Sequence, residues 1–192
     1  ENRRPLLQDP ELRLALLILL IATLLLFLRH WFVAGQTDAV GSPAALPAFW
    51  GILFTAASFL TTTGYVSADW HTAAEWSGIG TPGLMLLGLA IIGGGTATAA
   101  GGVKLLRVYA LLRHGERELE KIIHPSSIGR GGAEARQLRR EGAQFAWVFF
   151  MLFATSIAVV AALLLLAGID FERTIVLAIA CLTTTGQLAE LG

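Results

Sequence analysis

The feature that most restricts this chain is an apolar run that stops too early. Residues 47–60 are apolar almost throughout and end in Thr61-Thr62-Thr63-Gly64-Tyr65. As a helix, such a run is about 21 Å long. The hydrocarbon core of a bilayer is about 30 Å thick, so the helix cannot cross it. It is either a re-entrant helix that stops inside a membrane or a buried core helix. A glycine closing a hydroxyl-rich turn permits the unusual dihedrals that aim backbone carbonyls at a cation. A helix C-terminus behind that turn adds partial negative charge.

The design returns once. The short run 171–182 ends in Thr183-Thr184-Thr185-Gly186-Gln187, and Thr62 and Thr184 lie 122 positions apart. Each unit reads as a spanning helix, a short helix and a Thr-Thr-Thr-Gly turn. Internal repeats of this size are common in channels and transporters. One threonine-rich turn alone is an ordinary feature. Two copies, each behind a short apolar helix, are specific.

Composition sets the environment. Of 192 residues, 55% are hydrophobic and 15% charged, against about 25% charged in a soluble domain. The charges crowd into the N-terminal residues and 104–141, leaving long apolar runs between, which is the pattern of a polytopic membrane protein. Net charge is zero, so no nucleic-acid partner is implied. The single cysteine, Cys181, excludes an internal disulfide and a cysteine metal cluster. In its apolar run it reads as a small buried residue.

Residues 14–33 form the first spanning candidate, with Asp9-Pro10 as N-cap and first turn. No small-residue cleavage site follows it, so a membrane span is expected rather than a leader. Arg29 reads as snorkelling to the interface beside Trp31. Residues 34–46 read as a loop, and 66–77, with Trp70, His71, Glu75 and Trp76, as an amphipathic interfacial segment. His71 reads as decoration of that interface, with an outer cation funnel as the sharper alternative.

Thr81-Pro82 restarts a helix that runs apolar to Ile92 and then meets Gly93-Gly94-Gly95-Thr96-Ala97-Thr98-Ala99-Ala100-Gly101-Gly102. Five glycines in ten residues, each costing about 1 kcal/mol relative to alanine, predict a broken helix. Non-helical backbone at membrane depth is tolerated where it is covered by protein or lines a wet cavity. Close helix packing through small residues is the bland alternative. Lys104 follows directly, either at a functional depth or marking the cytoplasmic end.

Nine of the fourteen Lys and Arg residues lie in 104–140, and 34–80 has none. The positive-inside rule therefore places the N-terminus and 104–140 in the cytoplasm and both Thr-Thr-Thr-Gly turns toward the outside. Within that basic stretch 113–121 reads as a charged helix, 124–127 and 129–132 as turns, and His114 and His124 as solvated residues. Residues 144–168 form the next span, and Asp170 is positioned to cap the second short run.

Taken together, Ser58-Phe59-Leu60-Thr61-Thr62-Thr63-Gly64-Tyr65, the tract 93–104 ending in Ala100-Gly101-Gly102-Val103-Lys104, and Glu118-Leu119 through His124-Pro125 resemble the Trk/Ktr/HKT superfamily of cation transporters, in its bacterial TrkH-like branch. The resemblance covers essentially the whole chain. It implies an all-α polytopic membrane protein of repeated helix–pore-helix–helix units, a potassium-channel-like transporter. Thr61, Thr62, Thr63, Gly64 and Tyr65 then correspond to the third filter segment, and Thr183, Thr184, Thr185 and Gly186 to the fourth. Gly93, Gly94, Gly95, Thr96, Thr98, Gly101, Gly102 and Lys104 correspond to a gating loop beneath the filter.

The transported ion implied is K+, met at Thr62, Thr63, Thr184 and Thr185, with no cofactor in this chain. Implied partners are the remaining repeats of the transporter, a second copy in a homodimer, a cytoplasmic nucleotide-binding regulatory subunit of TrkA or KtrA type, and the bilayer of a bacterial inner membrane. The expected organisation is a cytoplasmic segment 1–13, a helix–pore-helix–broken-helix repeat 14–112 with filter 61–65 and gating loop 93–102, a cytoplasmic basic connector 113–141, and an incomplete second repeat 142–192 with filter 183–187. The tract departs from the family's more usual Gly-Ser-Thr-x-Gly-Gly, and only about one and a half repeats are present, so the chain reads as part of a longer transporter.

Two other classes compete with this one. An intramembrane enzyme lacks its signatures: there is no His-Glu-x-x-His, no Gly-x-Ser-x-Gly and no intramembrane carboxylate pair. A membrane scaffold packing through glycines, and a sodium-selective relative, are separated from a potassium transporter by ion flux.

Overall fold

A computed structural model describes residues 9–33, 45–77, 82–96, 98–123 and 133–191. All regular structure among these residues is helical. Helix α1 (Pro10–Val33) is long enough to span a membrane. Asp9 caps it, its carboxylate accepting from Glu11 N–H at 3.0 Å, and Pro10 takes the first position, where no N–H is needed.

Helix α2 (Ala45–Leu60) is the centre of the packing. It touches α1, α3 (Trp70–Ser77) and α4 (Pro82–Ile92). Ala48, Ile52, Ala56 and Phe59 recur at helical spacing and are fully buried along one side of it. Leu26 of α1, Leu86 and Ala90 of α4, and Ala180 and Leu188 near the C-terminus close the same core. Gly51 sits where an added Cβ would lie 2.9 Å from the Asp69 carbonyl oxygen, so α2 and the start of α3 approach to backbone contact.

The segment before α3 departs from expectation. Residues 66–69 are not helical, because Ser67 N–H donates to Thr55 Oγ1 at 3.2 Å and Trp70 N–H to the Ser67 carbonyl at 3.0 Å. Trp70 turns inward and is buried in the core rather than lying at an interface, while His71 and Glu75 are exposed.

Helix α4 has eleven residues, about 16 Å, and cannot cross a bilayer alone. The chain becomes helical again at Leu105. The apolar stretch after the glycines and the charged stretch 113–121 form one helix, α5 (Leu105–Ile123), with His114 exposed on it. Helix α6 (Ala133–Leu166) is the longest and begins well before the expected span, inside the basic stretch. Arg107 of α5 lies over the Phe149 ring of α6 at 4.0 Å, a cation–π contact that joins the two. The apolar side chains of α6 from Phe149 to Leu166 are largely exposed, as suits a helix facing hydrocarbon.

Helix α7 (Phe171–Thr183) follows, then the single turn α8 (Leu188–Leu191). Asp170 occupies the N-cap position of α7, but its side chain makes no capping bond; the first turn is closed by Thr174 N–H on the Asp170 carbonyl at 2.9 Å. Cys181 is exposed, not buried, because the inward stripe of α7 runs through Thr174, Ala178, Ile179, Ala180 and Thr183 and leaves position 181 outside it. Of the expected loop over 34–46, residues 45 and 46 already belong to α2, and 34–44 lie outside the described residues, as do the Thr81 cap and the turns at 124–127 and 129–132 with His124.

Candidate functional site

The two Thr-Thr-Thr-Gly turns are built on one shared set of bonds. In each, the first threonine's hydroxyl returns to the carbonyl four residues back: Thr61 Oγ1 to Ala57 at 2.9 Å, Thr183 Oγ1 to Ile179 at 2.8 Å. The second threonine takes a left-handed conformation, with φ of 54° at Thr62 and 61° at Thr184. Such a φ is an outlier for a β-branched residue. The third closes a six-to-one bond, Thr63 N–H on Ser58 O at 2.9 Å and Thr185 N–H on Ala180 O at 3.0 Å. The first and third hydroxyls pair, at 3.2 Å and 2.7 Å. Both turns are thus Schellman-type helix ends in which threonine stands where glycine is usual. Each places a helix C-terminus, and its partial negative charge, directly behind the turn.

Ser58 organises the first turn and was not singled out in the sequence. Its carbonyl accepts from Thr63 Oγ1 and its hydroxyl accepts from Tyr65 N–H at 2.7 Å. Among the described residues no donor reaches the carbonyl oxygens of Thr61, Thr62, Thr63 or Gly64. The second turn is more engaged: Thr183 O accepts from Thr184 Oγ1, Thr185 O from Leu188 N–H at 2.9 Å and Gly186 O from Ala189 N–H at 3.1 Å. Each of those carbonyls keeps one lone pair.

The turns are brought together. A Cβ at Gly64, where φ is +78°, would lie 3.2 Å from Thr185 Cα, so any larger residue would strain the backbone and push the two turns apart by a few tenths of an ångström. Gln187 Oε1 accepts from Val66 N–H at 3.2 Å and ties the second turn to the exit of the first. Burial runs in opposite phase in the two copies: Thr62 and Gly64 are buried in the first, Thr183 and Thr185 in the second. The segments lie side by side as neighbouring wedges, each covered on one edge and open on the other. Tyr65 is exposed.

The glycine tract passes beneath both turns. Gly101 N–H donates to Thr62 Oγ1 at 2.9 Å, and a Cβ on Gly101 would lie 2.7 Å from the Thr183 backbone. Thr61, Thr62 and Thr63 on one side and Gly94, Gly95, Thr98, Ala99 and Ala100 on the other line a cavity of about 350 Å³. The tract is sealed at its neck. Val103 N–H bonds the Ile91 carbonyl at 2.9 Å, Lys104 N–H that of Ile92 at 2.9 Å, and Leu105 N–H that of Gly94 at 3.1 Å. The orphan carbonyls that end α4 are thereby satisfied by the start of α5. Gly93 and Gly102 stand back to back with positive φ, their backbones in contact. Lys104 does not simply point to solvent; its ammonium donates to the carbonyls of Thr96 and Thr98 at 3.3 Å and 3.2 Å. Thr96 in turn is held by Glu11 of α1, a residue that carried no signal in the sequence. Among the described residues no cluster of His, Cys, Asp or Glu could hold a metal ion.

These features define a class: an all-helical polytopic membrane protein whose half-length helices meet at paired threonine–glycine turns. The model of the TrkH family, described as cation transport proteins, matches residues 1–187, and the chain belongs to that family. Its members are transporters, not enzymes. Among curated relatives, the Trk system potassium uptake protein TrkH of Halomonas elongata is 31% identical over 121 residues, 63% of this chain and 23% of that protein. The protein of the same name from Escherichia coli K12 is 26% identical over 179 residues, 93% of this chain and 35% of that protein. The Trk system potassium uptake protein TrkG of Escherichia coli K12 is 27% identical over 95% of this chain. The crystal structure of the potassium transporter TrkH from Vibrio parahaemolyticus matches 90% of this chain and 36% of that one, with a TM-score of 0.66 and 25% identity. The chain therefore spans only 23–36% of these proteins' length.

Proposed function

We propose that this chain is the third repeat and part of the fourth of a potassium uptake protein, in which the backbone carbonyls of 61–64 and 183–186 replace the water shell of K+. The observation that carries this reading is the packing of Gly64 on Thr185, which sets two similarly built turns edge to edge at the ends of half-length helices. K+ would be met at Thr62, Thr63, Thr184 and Thr185, the carbonyls of Thr62 and Thr63 being unengaged by any donor among the described residues. Residues 93–102 act as a gate: they lie under the turns, and Gly101 is bonded to Thr62.

Opening follows when α5 is drawn toward the cytoplasm by a nucleotide-binding regulatory subunit of TrkA or KtrA type. The whole protein works as a homodimer in a bacterial inner membrane, with the N-terminal end of this segment cytoplasmic. The test is rubidium uptake by the full-length transporter after deletion of 94–101. Uptake should rise well above that of the intact protein; uptake no higher than intact would remove the gate from this reading. Thr62→Val and Thr184→Val should change the preference for potassium over sodium.

A further inference from the structure

Gly101 holds the tract to the filter turns, and a second attachment holds it to α1. Thr96 is gripped there by two opposite charges. Its backbone N–H and its hydroxyl both donate to Oε1 of Glu11, at 2.6 Å and 2.9 Å. Its carbonyl accepts from Lys104 Nζ at 3.3 Å, and the same ammonium reaches the Thr98 carbonyl at 3.2 Å. Thr98 is itself folded inward, its hydroxyl donating to the Gly95 carbonyl at 2.6 Å. Hydrogen bonds in which one partner is ionised are roughly twice as strong as neutral ones.

The grip answers a physical difficulty. Fixing one residue's backbone costs about 1–2 kcal/mol, and glycine loses more freedom than any other residue. A tract with five glycines in ten residues does not hold one shape by itself. Glu11 is a firm support, because it lies in the first turn of a long helix whose N-terminus is capped by Asp9 on Glu11's own N–H. Lys104 is placed differently. It sits at the neck, its backbone N–H on the Ile92 carbonyl, one residue before α5.

We propose that Glu11 and Lys104 form a two-sided latch on Thr96 that sets the closed position of the tract, with Glu11 as the fixed side on α1 and Lys104 as the side that moves with α5. The inference rests on the reading of 93–102 as a gate. Both Glu11 bonds end on one oxygen, so displacing Thr96 breaks them together. Drawing α5 away withdraws the ammonium from the Thr96 and Thr98 carbonyls and leaves Glu11 as the remaining hold on Thr96. Glu11 acts here as a positioning residue, not as an ion ligand.

The experiment uses the full-length transporter with native cysteines, Cys181 included, replaced by serine and Ala100→Cys introduced; Ala100 is half-buried against Gly94 while the tract is seated and lines the cavity below the turns. The labelling rate of that thiol by a charged methanethiosulfonate reagent reports how often the tract leaves its seat, independently of transport. Glu11→Ala should raise the rate about tenfold, and Thr96→Val, which removes one of the two bonds, by less. Glu11→Gln, which restores an acceptor oxygen without charge, should fall between Glu11→Ala and the parent. Labelling of Glu11→Ala and Thr96→Val at the parent rate overturns the latch, whatever transport does. Rubidium uptake is measured on the same variants: faster labelling with raised uptake supports latch and gate together, whereas faster labelling with unchanged uptake supports the latch and removes the gate.

Discussion

Thr62 and Thr184 carry a left-handed backbone that costs a β-branched residue roughly 1–2 kcal/mol. Three shared bonds hold the conformation of each turn, and at the first turn Ser58 adds further contacts to Thr61, Thr63, Gly64 and Tyr65. Replacing Ser58 by alanine leaves Tyr65 N–H without its acceptor and removes one of the two hydroxyl partners of Thr63 Oγ1. A part-buried donor left unpaired costs about 1–3 kcal/mol. Ser58→Ala should therefore lower the thermal midpoint of the purified transporter by several degrees and reduce its discrimination of rubidium against sodium. Ser58→Thr, which keeps the hydroxyl, should retain both. The hydroxyl pattern Thr-Thr-Thr-Gly was legible in the sequence. The service of Ser58 was not, because it depends on a bond returning across seven residues that no local propensity encodes.

At the scale of elements, the broken helix is a matter of backbone space. A Cβ at Gly102 would meet the Ala90 and Ile91 carbonyl oxygens at 2.6 Å and 2.8 Å, and φ there is +77°. By contrast, Gly88 within α4 has nothing within 4 Å of an added Cβ. Gly102→Ala should open the neck and cost about 2 kcal/mol or more, whereas Gly88→Ala should be neutral or stabilising by up to about 1 kcal/mol; melting of the two variants in detergent compares them directly. The break itself was legible, since glycine density alone forbids a helix. The boundaries around it were less so. Helix α5 runs unbroken from its apolar start into its charged half, where Arg113 and Glu116 pair at i,i+3 at 3.0 Å on the solvated surface. Helix α6 likewise begins among basic residues that hydropathy assigns to a connector. Trp70 reads as interfacial by type yet is buried, because the turn at Ser67 rotates α3 onto α2.

For the whole molecule, the opposite phase of burial in the two turns is the informative pattern. Thr61 and Thr63 are open in the first copy, Thr184 and Gly186 in the second. Two wedges placed side by side leave one outer edge each, so two turns do not enclose an ion path. This chain alone, reconstituted in liposomes, should give no rubidium flux above empty vesicles, while the full-length transporter should. Rubidium flux from the isolated chain would mean that copies of it close the ring among themselves. The repeated Thr-Thr-Thr-Gly motif made the two turns readable from sequence. The lateral fit of Gly64 on Thr185 was not readable, since the two residues are brought together only by the packing of α4, α7 and α8.

The sealed neck of the glycine tract bears on how freely this segment can vary. Because Val103, Lys104 and Leu105 bind the end of α4 directly, the ends of the loop are joined whatever lies between them. The entropy of closing a flexible loop rises by only about 0.6 kcal/mol for each doubling of its length. Residues inserted between Gly95 and Gly101 therefore add little to the cost of folding. Length in this loop is thermodynamically cheap to change, and the positions of Gly93 and Gly102 are not.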